Sequence, residues 1–370
     1  MNLQPTTELL LRNISALHGP DILVVDAPGG QIAPLLLADQ PAAEILLWQS
    51  DYSDFRHGCR LAGVPPPSRP DLRHQAAGRW TVVFDAWYHR KTGAHDLAIV
   101  YLPKGRERLR LVLASAAAAT KPDGRILLVG SKRGGIRSAR QELEDAFGHA
   151  ELLDAARHCV LLGARNRLKR ADERTLPTDL REFGVDFTIE TADVVLRAWS
   201  YPGVFSHARL DEGTHVLLQT LDRPLPGPVL DFGCGCGVIG AFLARRWPGT
   251  RVDMVDSDAL ALAAAQRTVE TNSLPVRVWA SDVLSDVQGG YGLIVSNPPF
   301  HRGVQTDMRL AESLFHEAAS RLRPGGLVRI VANRFLRYPG LFEAVFGEWR
   351  IVAENSRYRI YEAVLARKKR

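Results

Sequence analysis

Short apolar runs alternate with turns and longer amphipathic stretches along this chain, and the pattern occurs twice. Residues 22–30, ILVVDAPGG, and 228–237, PVLDFGCGCG, are apolar runs that end in an aspartate and a glycine turn. Each is followed by a second run, EILLWQSD at 44–51 and RVDMVDSD at 251–258. Further on, DLAIVYLPK (96–104) leads to KPDGRILLVGSKRGG (121–135), and GLIVSNPPF (292–300) leads to RPGGLVRIVANRF (323–335). Apolar runs of this length read as buried strands, and the stretches between them, such as ALALAAAQRTVE at 259–270, read as helices. Strands alternating with helices at this spacing predict open, mostly parallel sheets covered on both faces. The expected fold class is therefore α/β, as two tandem doubly wound domains at about 1–165 and 186–370. The charged and proline-containing stretch 166–185 is the expected linker.

The two halves differ where chemistry would lie. Aligning Asp26 with Asp231 places Pro28 opposite Gly233 and Ile32 opposite Gly237. Aligning Ile99 and Val100 with Ile294 and Val295 places Leu102 opposite Asn297. On this reading the N-terminal half keeps the scaffold, lacks the glycines and the amide, and is a degenerate, non-catalytic copy. It does keep Asp26, Gly29 and Gly30, which leaves weak cofactor binding there open.

Composition adds bounds. A length of 370 residues suits two domains, and 24% charged residues are ordinary for a soluble protein. The formal charge of +6, with basic runs at 165–170 and 367–370, is compatible with a nucleic-acid partner. The opening residues do not read as a secretory signal, so none is expected, and no apolar run reaches the ~18 residues of a membrane helix. The 4 cysteines are scattered, and Cys234 and Cys236 lack partners for a zinc site. A cytoplasmic protein without a disulfide framework or metal is expected.

Candidate chemistry clusters in the second half. Glycines 233, 235 and 237 open a loop after the strand that ends near Asp231, so a ligand can lie against bare main chain. Gly235, Gly237 and Gly240 with Asp256 also fit a dinucleotide fingerprint, so a nicotinamide enzyme is a rival reading. Three features favour S-adenosylmethionine instead, with Asp256 holding its ribose. Asp231 suits a positively charged amino-acid end. Asp282 at the next strand end is placed to meet an adenine amine. The third feature is the stretch Asn297-Pro298-Pro299-Phe300. Two prolines cannot continue a strand ladder, so the strand stops at Asn297. The Asn297 side-chain oxygen and the Pro298 carbonyl can accept the two protons of an exocyclic amine, and Phe300 offers a stacking face. Asp258 reads as a helix cap rather than a ligand.

These residues resemble the class I S-adenosylmethionine-dependent methyltransferases that methylate amino groups, a set including adenine-N6 and glutamine-N5 enzymes. Longer stretches narrow the resemblance. Residues 202–206 (PGVFS), Asp211 with Gly213, SNPPFHRGVQT (296–306), RIVANRFLRYP (329–339), and YLPK and VGSKRGGIRSA in the first half are similar to the small-subunit ribosomal RNA guanine-N2 methyltransferases of type C. That resemblance implies two Rossmann-like methyltransferase domains, the first degenerate, and S-adenosylmethionine as the methyl donor. It implies N2-methylguanine at position 1207 of 16S ribosomal RNA as the product, with the small ribosomal subunit or its RNA as partner. It also implies Phe205, Asp211 and Gly213 near the cofactor, and His301, Gln305, Thr306 and Asn333 near a flipped guanine. Arg302, Arg334 and Arg337 are candidate phosphate contacts. The 23S guanine-N2 enzymes share this architecture and are the nearest alternative. A protein-amide or DNA-adenine methyltransferase shares the pocket, and a non-catalytic RNA-binding assembly module is an alternative of another class.

Overall fold

The expected strands form, and they build two sheets of the same topology. A computed structural model of the chain describes residues 3–66, 74–88, 93–167, 179–191, 193–298, 304–336 and 338–366, with backbone alone for 74–77 and 304–310. It divides into two units, Met1–Gly184 and Val185–Arg370. The first holds strands β1 (Asp21–Val25), β2 (Glu44–Gln49), β3 (His74–Ala77), β4 (Trp80–Phe84), β5 (His95–Tyr101), β6 (Thr120–Ser131), β7 (Glu151–Ala156) and β8 (Cys159–Arg165). Its helices are α1 (Pro5–Arg12), α2 (Ile32–Asp39), α3 (Tyr52–Leu61), α4 (Arg106–Ala119) and α5 (Ile136–Phe147). The second unit opens with a hairpin, β9 (Val185–Thr191) and β10 (Val194–Ser200), which forms its own sheet. Then come β11 (Val229–Phe232), β12 (Val252–Asp256), β13 (Arg277–Ala280), β14 (Tyr291–Ser296), β15 (Leu322–Asn333), β16 (Trp349–Glu354) and β17 (Tyr358–Val364). Helices α6 (Glu212–Gln219), α7 (Val238–Arg246), α8 (Ala259–Thr271), α9 (Val304–Arg321) and α10 (Pro339–Phe346) complete it.

The first sheet runs β3-β4-β2-β1-β5-β6-β8-β7 and the second runs β13-β12-β11-β14-β15-β17-β16. Setting β3 aside, the two orders match strand for strand. In each, the central pairs are parallel and the final strands are antiparallel. The proline–glycine stretches 121–124 and 323–326 fall at the starts of β6 and β15, where the pairing skips from Thr120 to Arg125 and from Leu322 to Leu327. Among the described residues, no helix is long and apolar enough to cross a membrane.

Backbone hydrogen bonds correct the alignment of the halves. Val25 pairs with Trp48 and Val100, whereas Phe232 pairs with Val255 and Ser296. The next amide in each donates back across the pair: Asp26 N to Trp48 O at 2.9 Å, and Gly233 N to Val255 O at 2.9 Å. Further along each loop, Gly30 N reaches Ala27 O at 2.9 Å and Gly237 N reaches Cys234 O at 2.8 Å. Asp26 is thus the counterpart of Gly233, two places from Asp231. It holds a φ of 52° where Gly233 holds 65°, a conformation aspartate tolerates better than most residues. Its Oδ1 accepts from Ser50 N at 2.8 Å and Ser50 Oγ at 2.7 Å, which stitches β1 to the end of β2.

With that register, Val24 stands where Asp231 stands, Gln49 where Asp256 stands, and Pro28 where Gly235 stands. Tyr101, not Leu102, is the counterpart of Asn297, because Val100 matches Ser296. Ala86 matches Asp282, since Asp85 N bonds Gln49 O as Ser281 N bonds Asp256 O. The first unit therefore lacks every acidic and amide group of the second unit's candidate site.

Buried side chains hold the second sheet to its helices. Phe315 of α9 stacks near Phe342 of α10, with ring centroids 4.5 Å apart, and Tyr361 of β17 lies 5.4 Å from Phe342. Arg329 of β15 is 2% exposed and bonds Glu362 of β17, with Nη1 donating to Thr220 O at 2.6 Å.

Candidate active site

The glycine loop follows β11 directly. Gly233, Gly235 and Gly237 have φ values of 65°, 54° and 80°, a region where side chains other than glycine are strained. A Cβ on Gly237 would sit 3.1 Å from the Ala265 backbone, so α7 starts close against α8. A Cβ on Gly235 would meet nothing within 4 Å, so that backbone faces open space. Two carboxylates shape the loop. Asp256, at the end of β12, accepts from Gly235 N and Asp258 N, each at 2.9 Å. Asp231 is fully buried and accepts from Gly240 N at 2.9 Å through Oδ2. Its Oδ1 is buried with no partner among the described residues. Burial pushes the Asp231 carboxyl up to about 7; the Gly240 N–H opposes this and the Asp256 charge adds to it. Burial likewise raises Asp256 to about 6. An orphaned buried carboxylate oxygen, beside an open glycine face, fits a ligand carrying an ammonium group.

Asp258 caps α8, accepting from Leu260 N at 3.0 Å, as its position in the sequence implies. Asp282 is half-buried in the turn after β13. Cys234 and Cys236 are buried in the loop, and burial raises both thiols, Cys236 to about 12. Among the described residues, no group of three or more histidine, cysteine, aspartate or glutamate side chains could hold a metal.

Asn297 lies one strand over from the loop. Ser296 pairs with Phe232, and its hydroxyl donates to Phe232 O at 2.7 Å, so Asn297 and Gly233 leave neighbouring strand ends. The Asn297 amide nitrogen donates to Asp211 Oδ2 at 3.0 Å and to Thr214 Oγ1 at 2.8 Å. Asp211 also caps α6, accepting from Thr214 N at 2.8 Å. A carboxylate only accepts hydrogen bonds, so the amide must turn its NH2 toward Asp211 and its oxygen the other way. Asn297, Pro298, Asp211, Phe205, Asn333 and Tyr358 line a cleft of about 150 Å³, closed below by Val331, Ala332 and Leu336.

Comparison with known proteins identifies the family. Residues 195–362 match the family model "Methyltransferase small domain", and residues 70–175 match "Methyltransferase small domain N-terminal". The chain is 38% identical over 361 residues to the "Ribosomal RNA small subunit methyltransferase C" of Pseudomonas paraeruginosa, covering 98% of this chain and 99% of that one. It is 38% identical to the protein of that name from Hahella chejuensis, covering 97% and 98% of the two chains. The chain belongs to the ribosomal RNA small subunit methyltransferase C family. A solved structure, that of the T. thermophilus 16S rRNA N2 G1207 methyltransferase in complex with AdoMet and guanosine, superposes with a TM-score of 0.79 at 24% identity. It covers 98% of this chain and 92% of that one, and it supports the two-domain fold.

The structure brings Phe205, Asp211, Asn297, Pro298 and Asn333 to one cleft. It sets Gly233, Gly235 and Gly237 on the adjoining loop, between Asp231 in β11 and Asp256 at the end of β12. Gly213 sits under Tyr358: a Cβ there would come 3.0 Å from two ring carbons and 3.1 Å from Asp211 Oδ2. Arg334 is exposed in the turn after β15, its guanidinium donating to Asn355 O at 3.2 Å. Pro299, Phe300, His301, Arg302 and Arg337 lie outside the described residues, as do the side chains of Gln305 and Thr306. Reading the sequence missed Tyr358, which lines the cleft, and Thr214, which accepts from Asn297. The signal for Thr214 was present: Asp211 and Thr214 have the spacing of a helix N-cap and its N3 residue.

Proposed function

We propose that this chain transfers a methyl group from S-adenosylmethionine to the exocyclic N2 of guanine 1207 in 16S ribosomal RNA. The names of relatives matched along nearly their whole length support this, and the superposed T. thermophilus protein is itself a 16S rRNA N2 G1207 methyltransferase. The observation that carries the reading is the orientation of the Asn297 amide. Both of its N–H bonds are engaged, so its oxygen is the group offered to a substrate in the cleft. A second acceptor follows at the Pro298 carbonyl.

The target amine is a poor nucleophile because its lone pair is delocalised into the base. Two acceptors on its two N–H bonds pull the nitrogen toward tetrahedral geometry and aim the lone pair along one line. Bound S-adenosylmethionine would supply a sulfonium methyl on that line. The N–C bond would form as the donor's C–S bond breaks, the donor leaving as a thioether, and the cationic N2 would then lose its proton to water. Asp231, with its unpartnered buried oxygen, would hold the donor's ammonium. Asp256, beside the loop, would accept from ribose hydroxyls, and Asp282 would meet the adenine amine. Phe205 and Tyr358 would flank the base in the cleft. The first unit, where Val24, Gln49, Ala86 and Tyr101 replace these groups, would take no part in the chemistry.

The test is methyl transfer to small-subunit particles and to free 16S RNA, read by mass spectrometry of nucleosides. The wild-type chain should produce N2-methylguanine at position 1207, and Asn297→Ala should lose on the order of 100-fold in rate. Full activity in that variant would refute the role of the amide, and methyl label in 23S RNA alone would favour the large-subunit alternative.

A further inference from the structure

We propose that Asp211 and Thr214 are positioning residues for methyl transfer, holding the Asn297 amide in the one orientation that presents its oxygen to the target amine. The proposal rests on the functional reading above. A primary amide looks almost the same in its two flipped states, yet the states are chemically opposite. Flipped, Asn297 would present its NH2 to an amine that itself needs acceptors. Nothing in a proline-stiffened backbone prevents that flip, so something must bias the side chain.

The bias comes from α6. Asp211 Oδ2 takes one Asn297 N–H at 3.0 Å and Thr214 Oγ1 takes the other at 2.8 Å. Flipping the amide would set its oxygen against a carboxylate oxygen, a contact with no proton to share. The same Asp211 oxygen accepts from Thr214 N, so the helix cap and the amide clamp use one atom. Gly213 keeps this arrangement tight, because any Cβ there would press on both Asp211 Oδ2 and the Tyr358 ring.

The first unit supplies an internal control. Helix α1 packs on β6, β7 and β8 as α6 packs on their counterparts β15, β16 and β17; Gln4 is its N-cap, and Thr7, like Thr214, lies three residues on. Thr7 Oγ1 meets the hydroxyl of Tyr101, the counterpart of Asn297, at 3.0 Å. The threonine is kept, but the cap is Gln4, which makes no side-chain capping bond. The acid is present where there is an amide to orient and absent where there is none.

Two substitutions separate clamping from folding. Thr214→Val keeps the shape and removes one acceptor. Asp211→Ser keeps an N-cap oxygen for α6 but is too short to reach Asn297. Each is expected to lower kcat about 10- to 100-fold, and in Thr214→Val, which leaves the cleft-lining carboxylate in place, cofactor Kd and RNA KM should stay within about two-fold. Thr214→Ser should recover the wild-type kcat. In protein labelled with 15N-asparagine, the Asn297 side-chain protons should be slow to exchange in wild type and fast in Thr214→Val. Wild-type kcat in both clamp variants would overturn the proposal, as would losses that follow cofactor affinity or melting temperature, or amide exchange that does not change. If wild-type protein shows the protected amide but methylates no guanine of 16S RNA, the functional reading falls while the clamped orientation stands.

Discussion

Lowering the pH from 8 to 6 is expected to weaken binding of S-adenosylmethionine about ten-fold, and Asp231→Asn is expected to remove that dependence. Asp231 is fully buried, and loss of water holds its carboxyl at about 7 despite the Gly240 N–H. A group at that value is about 90% ionised at pH 8 and about 10% at pH 6. If the ligand's ammonium requires the charged form, apparent affinity falls by the same ratio, and binding at pH 6 releases a proton. Calorimetric titrations in phosphate and in Tris would measure both the affinity and that proton. Asp256, raised to about 6, adds a further loss below that pH. The free protein should show the opposite trend. Between about 4 and 7 the folded chain keeps a proton that the unfolded chain has lost, so stability falls as pH rises through that window. The difference between 3.8 and about 7 sets an upper bound on the order of 4 kcal/mol. Asp231→Asn should therefore stabilise the free protein at pH 8 and leave it unchanged near pH 3. Affinity that stays flat from pH 6 to 8, or a slope that survives in Asp231→Asn, would refute the reasoning.

Two further outcomes follow from buried pairs. Glu362→Ala should cost about 3–5 kcal/mol in urea unfolding, because it strands Arg329, which is 2% exposed and otherwise bonded to Thr220. Tyr101→Phe should cost about 0.5–1.5 kcal/mol through the lost bond to Thr7, with an unchanged methyl-transfer rate. A slowed rate at intact stability would assign chemistry to the first unit.

Much of the fold was legible because its signals are local. Apolar runs became β1, β2, β5, β11, β12 and β14 within a residue or two, and the α8 cap was readable from Asp258. The glycines of the loop and the strand end at Asn297 were legible for the same reason: each is dictated by backbone geometry at its own position. What failed was correspondence between distant segments. Asp26 and Asp231 both close an apolar run, and composition alone makes them look equivalent. Only the ladder bonds show that Asp26 occupies a left-handed glycine position, whereas Asp231 lies inside its strand. The clamp was hidden likewise. Asp211 and Asn297 are 86 residues apart, and nothing in either segment says that they touch.

The corrected register sharpens the meaning of the duplicated sheet. Strand order, ladder bonds and the loop turn are the same in both units, so these features serve the scaffold. The residues that differ are Val24 for Asp231, Pro28 for Gly235, Gln49 for Asp256, Ala86 for Asp282, Tyr101 for Asn297 and Gln4 for Asp211. Each change removes a carboxylate, an amide or a donor, and several put apolar or bulky groups in their place. Pro28 cannot give the N–H that Gly235 gives Asp256, and the residue at the place of Asp256 is no longer an acid. Tyr101 is buried where Asn297 lines a cleft. A fold that needed these groups for stability would not tolerate losing all of them at once. Their presence in the second unit, two of them as carboxylates raised by burial, is a cost that packing does not account for and that the proposed binding and methyl-transfer roles would.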